Sequence, residues 1–326
     1  MHPLHEPHRV VWFRRLALAG AALAFCVVVL GAWVRLTDAG LGCPDWPGCY
    51  GHVFPESGTH HFARAVHEMI HRYFASTLGI IITSLLVLAL IRRKDPDQPL
   101  APVAVLFAVV CLQGLLGMKT VTLKLQPLIV TAHLLGGLTT LGLLRWLSIS
   151  PERRALARSE RGLRAFAVIG FAVLALQIFL GGWTSTNYAA VACPDLPTCQ
   201  HSWWPSMDFG NAFVLWRGLG IDYEGGVLAN PARVAIHFTH RLGAVMTGLT
   251  LLGLGAAVVL RGRNGRLKML GYLLIAAVLL QISLGVSTVH WGVPLLLATL
   301  HNAGAALLVI VMVTILRALW PRMVTL

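Results

Sequence analysis

Eight stretches of the chain are apolar and free of formal charge for long enough to cross a hydrocarbon layer, which takes about 20 residues of helix. They cover residues 16–34, 73–91, 100–118, 127–144, 165–186, 242–260, 269–289 and 291–316. Polar and charged residues collect in the segments between them. This alternation predicts eight membrane helices rather than amphipathic helices around a soluble core. The first stretch does not read as a cleavable signal peptide. It is too long, and no small-residue cleavage site precedes the loop at Arg35.

The pattern repeats. Cys43-Pro-Asp-Trp-Pro-Gly-Cys49 returns 150 positions later as Cys193-Pro-Asp-Leu-Pro-Thr-Cys199. Gly31-Ala-Trp33 matches Gly181-Gly-Trp183, and Leu112-Gln-Gly-Leu-Leu-Gly117 matches Leu280-Gln-Ile-Ser-Leu-Gly285. His71-Arg72 matches His240-Arg241 at an offset of 169, and His133 matches His301 at 168. The offset grows because the second outer loop is longer. Residues 1–150 and 151–326 therefore read as two four-helix repeats joined by a linker at 148–161. Four crossings per repeat leave both in the same orientation, related by an axis along the membrane normal.

Composition agrees. The chain is 56% hydrophobic and 12% charged, with mean hydropathy +0.72. Its net charge of +13 invites a nucleic-acid partner, but the basic residues are sorted by loop. Arg9, Arg14 and Arg15 precede the first span, and Arg92, Arg93 and Lys94 follow the second. Arg145, Arg153, Arg154, Arg158, Arg161 and Arg164 flank the linker. Arg261, Arg263, Arg266 and Lys268 join spans six and seven, and Arg317 and Arg322 follow the eighth. That places 18 of 26 basic residues on one face, which the positive-inside rule makes cytoplasmic, together with both termini. Membrane lipids account for this charge without a nucleic acid.

The long loops, near 36–66 and 187–232, then face the periplasm of a bacterial inner membrane, where disulfides persist. Six residues separate the cysteines of each pair, with prolines turning the chain between them. The spacing predicts local disulfides, Cys43–Cys49 and Cys193–Cys199, structural or redox-active. No CxxC spacing supports zinc. Cys26 and Cys111 read as buried thiols within spans one and three.

Histidines inside membrane spans are costly and mark function. His71, His133, His240 and His301 fall near the outer ends of spans two, four, six and eight, roughly 5–10 Å below the interface at the rise of a helix. Two imidazoles at equal depth on two helices can clamp one heme iron from both faces. Arg72 and Arg241 either snorkel to the interface or pair with heme propionates. Glu68 stands one turn before His71, where the second repeat has His237. This carboxylate either serves chemistry at a heme edge or pairs with Arg64 or Arg72. His67 and His237 are alternative ligands. His2, His5, His8, His52, His60, His61, His201 and His290 read as surface residues.

With these residues in place, the chain resembles heme A synthase over essentially its whole length. The resemblance rests on eight helices in two repeats, Glu68-x-x-His71-Arg72, His133, His240-Arg241, His301 and the outer cysteine pair. It implies oxidation of the C8 methyl of heme O to a formyl group, giving heme A for terminal oxidases. It further implies that His71 and His133 ligate the iron of the substrate heme O, and His240 and His301 that of a permanent heme b. Glu68 would be the catalytic carboxylate. Not all members carry the second cysteine pair. The implied partners are a heme O synthase (protoheme farnesyltransferase) as donor, an unspecified electron donor or acceptor, and further copies of the chain. A diheme cytochrome b without substrate chemistry, or a transporter using the histidines as a proton relay, would use the same residues differently.

Overall fold

The computed structural model describes residues 8–59, 61–95, 99–150 and 158–320, and of residues 8–10, 158 and 159 the backbone only. His2, His5, His60, Arg153, Arg154 and Arg322 lie outside the described residues, as do the side chains of His8, Arg9 and Arg158. Among the described residues the chain is helical, apart from two isolated bridges that close the cysteine loops, Cys49 with His52 and Cys199 with Ser202.

Eight helices are long and apolar enough to cross a membrane. They are α1 (His8–Leu36), α2 (Phe62–Ile91), α3 (Leu100–Thr122), α4 (Pro127–Ser148), α5 (Arg158–Thr186), α7 (Asn230–Arg261), α8 (Gly265–His290) and α9 (Leu295–Ala318). A short α6 (Phe209–Ala212) lies in the second long loop. Helices α1 to α4 pack in a ring, and α5, α7, α8 and α9 form another. The two join where α4 and α9 meet α1, α5 and each other.

Contacts at this seam link residues with their own counterparts in the other repeat. Arg35 donates to the carbonyl of Ser185 at 2.8 Å, and the Tyr188 hydroxyl meets Asp38 at 3.3 Å, each pair 150 positions apart. At the opposite end Arg317 reaches the carbonyl of Ile149, 168 positions away, at 3.4 Å. A residue can touch its own repeat-mate only near an axis that relates the two copies, as in a two-fold interface.

Four helices begin well before the uncharged stretches, among them α1 at His8 and α5 at Arg158. α2 starts at Phe62, not residue 73, and α7 at Asn230, not 242. The extra outer turns carry Arg64, Glu68 and Arg72, or Arg233, His237 and Arg241. Charge along the sequence hid them, because the cysteine loops supply the polar partners that lipid cannot. α9 begins four residues later than expected. Gly292 and Val293, at φ 67° and 62°, first turn the chain, and Pro294 precedes the helix. Cys26 and Cys111 also differ from expectation, since both are exposed on the helix surface. A small apolar thiol gains nothing from burial when the surroundings are hydrocarbon.

Candidate functional site

Both cysteine loops and all four span histidines lie toward the same end of the helices. His71 and His240 stand nine and ten residues into α2 and α7, and His133 and His301 six residues into α4 and α9. At 1.5 Å per residue this is roughly 9–15 Å from the helix ends that carry the cysteine loops. The deeper pair reflects the longer outer turns of α2 and α7.

The structure brings together the predicted partners. The rings of His71 and His133 have centroids 6.5 Å apart and planes 80° apart. His240 and His301 lie close enough to interact electrostatically. Each imidazole rests on a glycine of a neighbouring helix: Gly31, Gly117, Gly181 and Gly285. A Cβ on these glycines would stand 2.9–3.4 Å from the histidine Cε1, so a larger residue would push the ring away. The Nδ1 atoms of His71, His133 and His301 are buried without a hydrogen-bond partner. Buried polar atoms left in this way are rare in folded proteins.

A heme fits this donor set. Among the described residues no three His, Cys, Asp or Glu side chains gather around a point, so a bare ion finds no cage. A macrocycle supplies its own equatorial ligands and needs only axial ones. With metal–imidazole bonds of about 2 Å, two axial rings stand with centroids roughly 6–6.5 Å apart. The His71–His133 separation lies at this value.

His67 and His237, the alternative ligands, are engaged elsewhere. His67 packs edge-on against Trp33, with centroids 6.4 Å apart. His237 is buried, and its Nδ1 accepts the Cys193 amide at 3.3 Å. Glu68 has the same task in the first repeat, where its Oε2 accepts the Cys43 amide at 2.9 Å. The carboxylate and the imidazole are therefore equivalent acceptors for the first cysteine of each loop.

The arginines after His71 and His240 clamp those loops. Arg72 Nη1 donates to the carbonyls of Asp45, Pro47 and Gly48 at 3.0, 3.2 and 2.6 Å, and its Nη2 meets Glu68 Oε1 at 2.5 Å. Arg241 donates to Asp195, Thr198 and Cys193 carbonyls at 2.8, 2.8 and 2.6 Å. Sequence reasoning assigned these guanidinium groups to an interface or to propionates and missed the loop. The common recurrence of the cysteine motif and the His-Arg pair was the available signal. Both disulfides form locally, with Cα atoms 4.8 and 4.6 Å apart. Loops this short are worth roughly 2–2.5 kcal/mol each in the chain-entropy account. Non-reducing peptide mapping should recover both local cross-links, and a Cys43–Cys193 or other cross-loop peptide would contradict the arrangement.

Each loop is also tied by an aspartate. Asp45 accepts the Tyr50 and Gly51 amides at 2.6 and 2.8 Å, and Asp195 those of Gln200 and His201 at 2.6 and 3.0 Å. The Thr198 hydroxyl, then the His201 and Gln200 amides, hold Asp195 down to about 2. The Gly51 amide leads the same effect at Asp45. A carboxyl group lowered on folding stabilises the fold above its ordinary value and ceases to do so as pH falls through the folded one. The second loop should therefore loosen between pH 3.8 and about 2. Hydrogen exchange at Gln200 and His201 measures this, and protection that survives protonation of Asp195 would contradict it.

The two flanks differ. At the inner ends of α7 and α8, Gly255 and Gly271 allow backbone contact, and a Cβ on Gly271 would stand 2.8 Å from the Gly255 carbonyl oxygen. Their counterparts in the first repeat are Leu86 and Val103, and α2 packs less extensively on α3 than α7 on α8. Only 11% of the apolar window of α3 is buried, against 28% of that of α8. The α2–α3 flank is thus packed less tightly than its counterpart α7–α8.

Comparison with known proteins places these features in context. A family model described as cytochrome oxidase assembly protein, COX15-CtaA, matches residues 14–313. A heme A synthase of Shewanella oneidensis is 40% identical, over 96% of this chain and 98% of that protein. A heme A synthase of Caulobacter vibrioides is 29% identical, over 89% and 91% of the two chains. One from Rhizorhabdus wittichii is 26% identical, over 88% of each.

Proposed function

The chain belongs to the COX15-CtaA family of cytochrome oxidase assembly proteins, and from that premise we propose that it is a heme A synthase, oxidising the C8 methyl of heme O to the formyl group of heme A. The observation that carries this reading is the pair of facing imidazole sites, of which only the first adds a carboxylate. Residues 1–150 are the substrate half, with His71 and His133 as ligands of heme O. Residues 151–326 are the electron-transfer half, with His240 and His301 as ligands of heme b. A heme b held there would supply a one-electron relay.

The remaining steps belong to the protein. The less tightly packed α2–α3 flank gives a lipid-soluble substrate a route from the bilayer, delivered by a heme O synthase. Where water supplies the oxygen, taking a methyl to a formyl group (R–CH3 + H2O → R–CHO) releases four protons and four electrons. The electrons leave through the second repeat to an acceptor, and Glu68 is the carboxylate one turn from His71 that would take the protons. An ionised carboxylate has about four acceptor positions. The Cys43 amide and Arg72 occupy two of them, which leaves capacity for a proton. Arg72 and the first disulfide loop hold the carboxylate from above, so this loop also positions Glu68. Arg241 Nε is buried without a partner and is the donor left for a propionate. The cysteine loops face the periplasm and both termini the cytoplasm. An electron donor or acceptor and further copies of the chain are the other expected partners.

Incubating the purified protein with heme O and extracting its hemes tests the reading, and heme A is the expected product. A specific observation favours the runner-up, a diheme cytochrome b. Glu68 and His237 share one structural task, so Glu68 can be explained without chemistry. Failure to convert heme O under any reducing or oxidising regime, with both hemes bound, would select that alternative.

A further inference from the structure

Three of the four histidine seats have a feature that the fourth lacks. On α3, α5 and α8 a glutamine stands one turn before the glycine beneath the imidazole: Gln113, Gln177 and Gln281. On the facing helix another glycine follows each histidine by three residues: Gly136, Gly243 and Gly304. The amide fills the notch this glycine leaves. A Cβ at these three positions would fall 1.8 Å from Gln113 Nε2, 2.3 Å from Gln177 Oε1 and 2.1 Å from Gln281 Oε1.

From the notch two of the amides reach the histidine itself. Gln177 Nε2 donates to the His240 carbonyl at 3.0 Å and lies 3.0 Å from His240 Nδ1. Gln281 Nε2 donates to the His301 carbonyl at 3.0 Å and lies 3.4 Å from His301 Nε2. In all three glutamines the amide atom that faces the glycine is buried without a partner. An unpaired buried polar atom is destabilising. An apolar side chain would fill a helix seam without that cost, so the amide is retained for what its other end does to the ring.

The repeat offsets identify the fourth seat. The counterpart of Gln177 is Val27, and that of Gly243 is Phe74. Val27 has no side-chain donor or acceptor, and Phe74 leaves no notch. His71 keeps its glycine floor, with Gly31 at 3.1 Å, but has no amide. Its Nδ1 is buried without a side-chain partner, as are those of His133 and His301, so the difference between the seats lies in the amide and its notch.

Resting on the heme reading above, we infer that Gln177 and Gln281 are positioning residues for His240 and His301, that Gln113 fills the same notch beside His133, and that Val27 and Phe74 make His71 the exchangeable ligand. Gln177 holds the His240 ring at Nδ1, and Gln281 holds His301 chiefly through its backbone carbonyl. Partners of this kind fix the orientation of a metal-bound imidazole, and their loss typically costs about 10–100-fold in metal affinity. A resident heme benefits from two fixed ligands. A heme that arrives as substrate and leaves as product needs one that lets go. The difference between the sites then follows from two side chains, with the histidines unchanged.

The test uses the ferrous, heme-loaded protein and carbon monoxide, which binds iron only where an axial ligand has left. Wild-type protein should take up carbon monoxide at one site, and uptake should vanish in a His71→Ala/His133→Ala variant that keeps only the second site. Adding Gln177→Val to that variant should restore uptake, now in the second repeat. Val27→Gln/Phe74→Gly should weaken uptake by wild-type protein about 10–100-fold and shift the midpoint potential of the first heme. Uptake at the second site with Gln177 intact would overturn the inference, as would unchanged uptake in both engineered proteins. Should the Val27→Gln/Phe74→Gly protein fail to accumulate, the Gln177→Val comparison decides alone. Protein that binds no heme would instead refute the function proposed above. Bound heme with unaltered carbon monoxide uptake refutes only the ranking of ligands.

Discussion

Glu68→Gln protein should retain both hemes, accumulate heme O or its hydroxylated intermediate, and yield little heme A. Loss of a positioned base lowers a rate by about 10²–10⁴-fold, enough to separate catalyst from carrier. The amide keeps the size of the carboxylate and an oxygen to accept the Cys43 amide, and Gln is a good helix former. Arg72 would still bond three loop carbonyls, so the first cysteine loop should stay in place. Glu68→Ala is a poorer probe. It strands the Cys43 amide and leaves Arg72 on its loop carbonyls without a counter-charge, and breaking a buried ion pair costs about 3–5 kcal/mol. Heme content must be measured in the same preparation, because lost substrate would mimic lost chemistry. Wild-type heme A yield from fully loaded Glu68→Gln protein would refute a catalytic carboxylate.

His240→Ala and His301→Ala should each remove the resident heme, whereas His71→Ala and His133→Ala should disturb only the substrate site. Each change deletes a proposed heme ligand and leaves a cavity beside a glycine. Pyridine hemochrome spectra and extracted heme composition read the two sites separately. Normal occupancy of both sites in all four variants would sink the ligand assignment. His67→Ala and His237→Ala serve as comparisons. The first loses an edge contact with Trp33, and the second an acceptor for the Cys193 amide. Neither should empty a heme site.

The residues themselves determined a good deal of this protein. Long uncharged runs require helices, because hydrocarbon offers the backbone no hydrogen-bond partner. Duplicated motifs, recognised as text, fixed which histidines correspond and which cysteines belong together. The tertiary structure decided what lies between these landmarks. It extended α2 and α7 outward through charged turns, because folded loops neutralise residues that a linear scan counts as exposed. It placed Arg72 and Arg241 on loop carbonyls, and Glu68 and His237 on equivalent amides, since a guanidinium or carboxylate takes whatever partners packing brings to it. Gln177 and Gly243 lie 66 positions apart in the chain, yet one amide fills the space above one α-carbon. Helical periodicity fixes which residues share a face of one helix. Which face meets which neighbour depends on volumes contributed by both, and that is settled only when the helices pack.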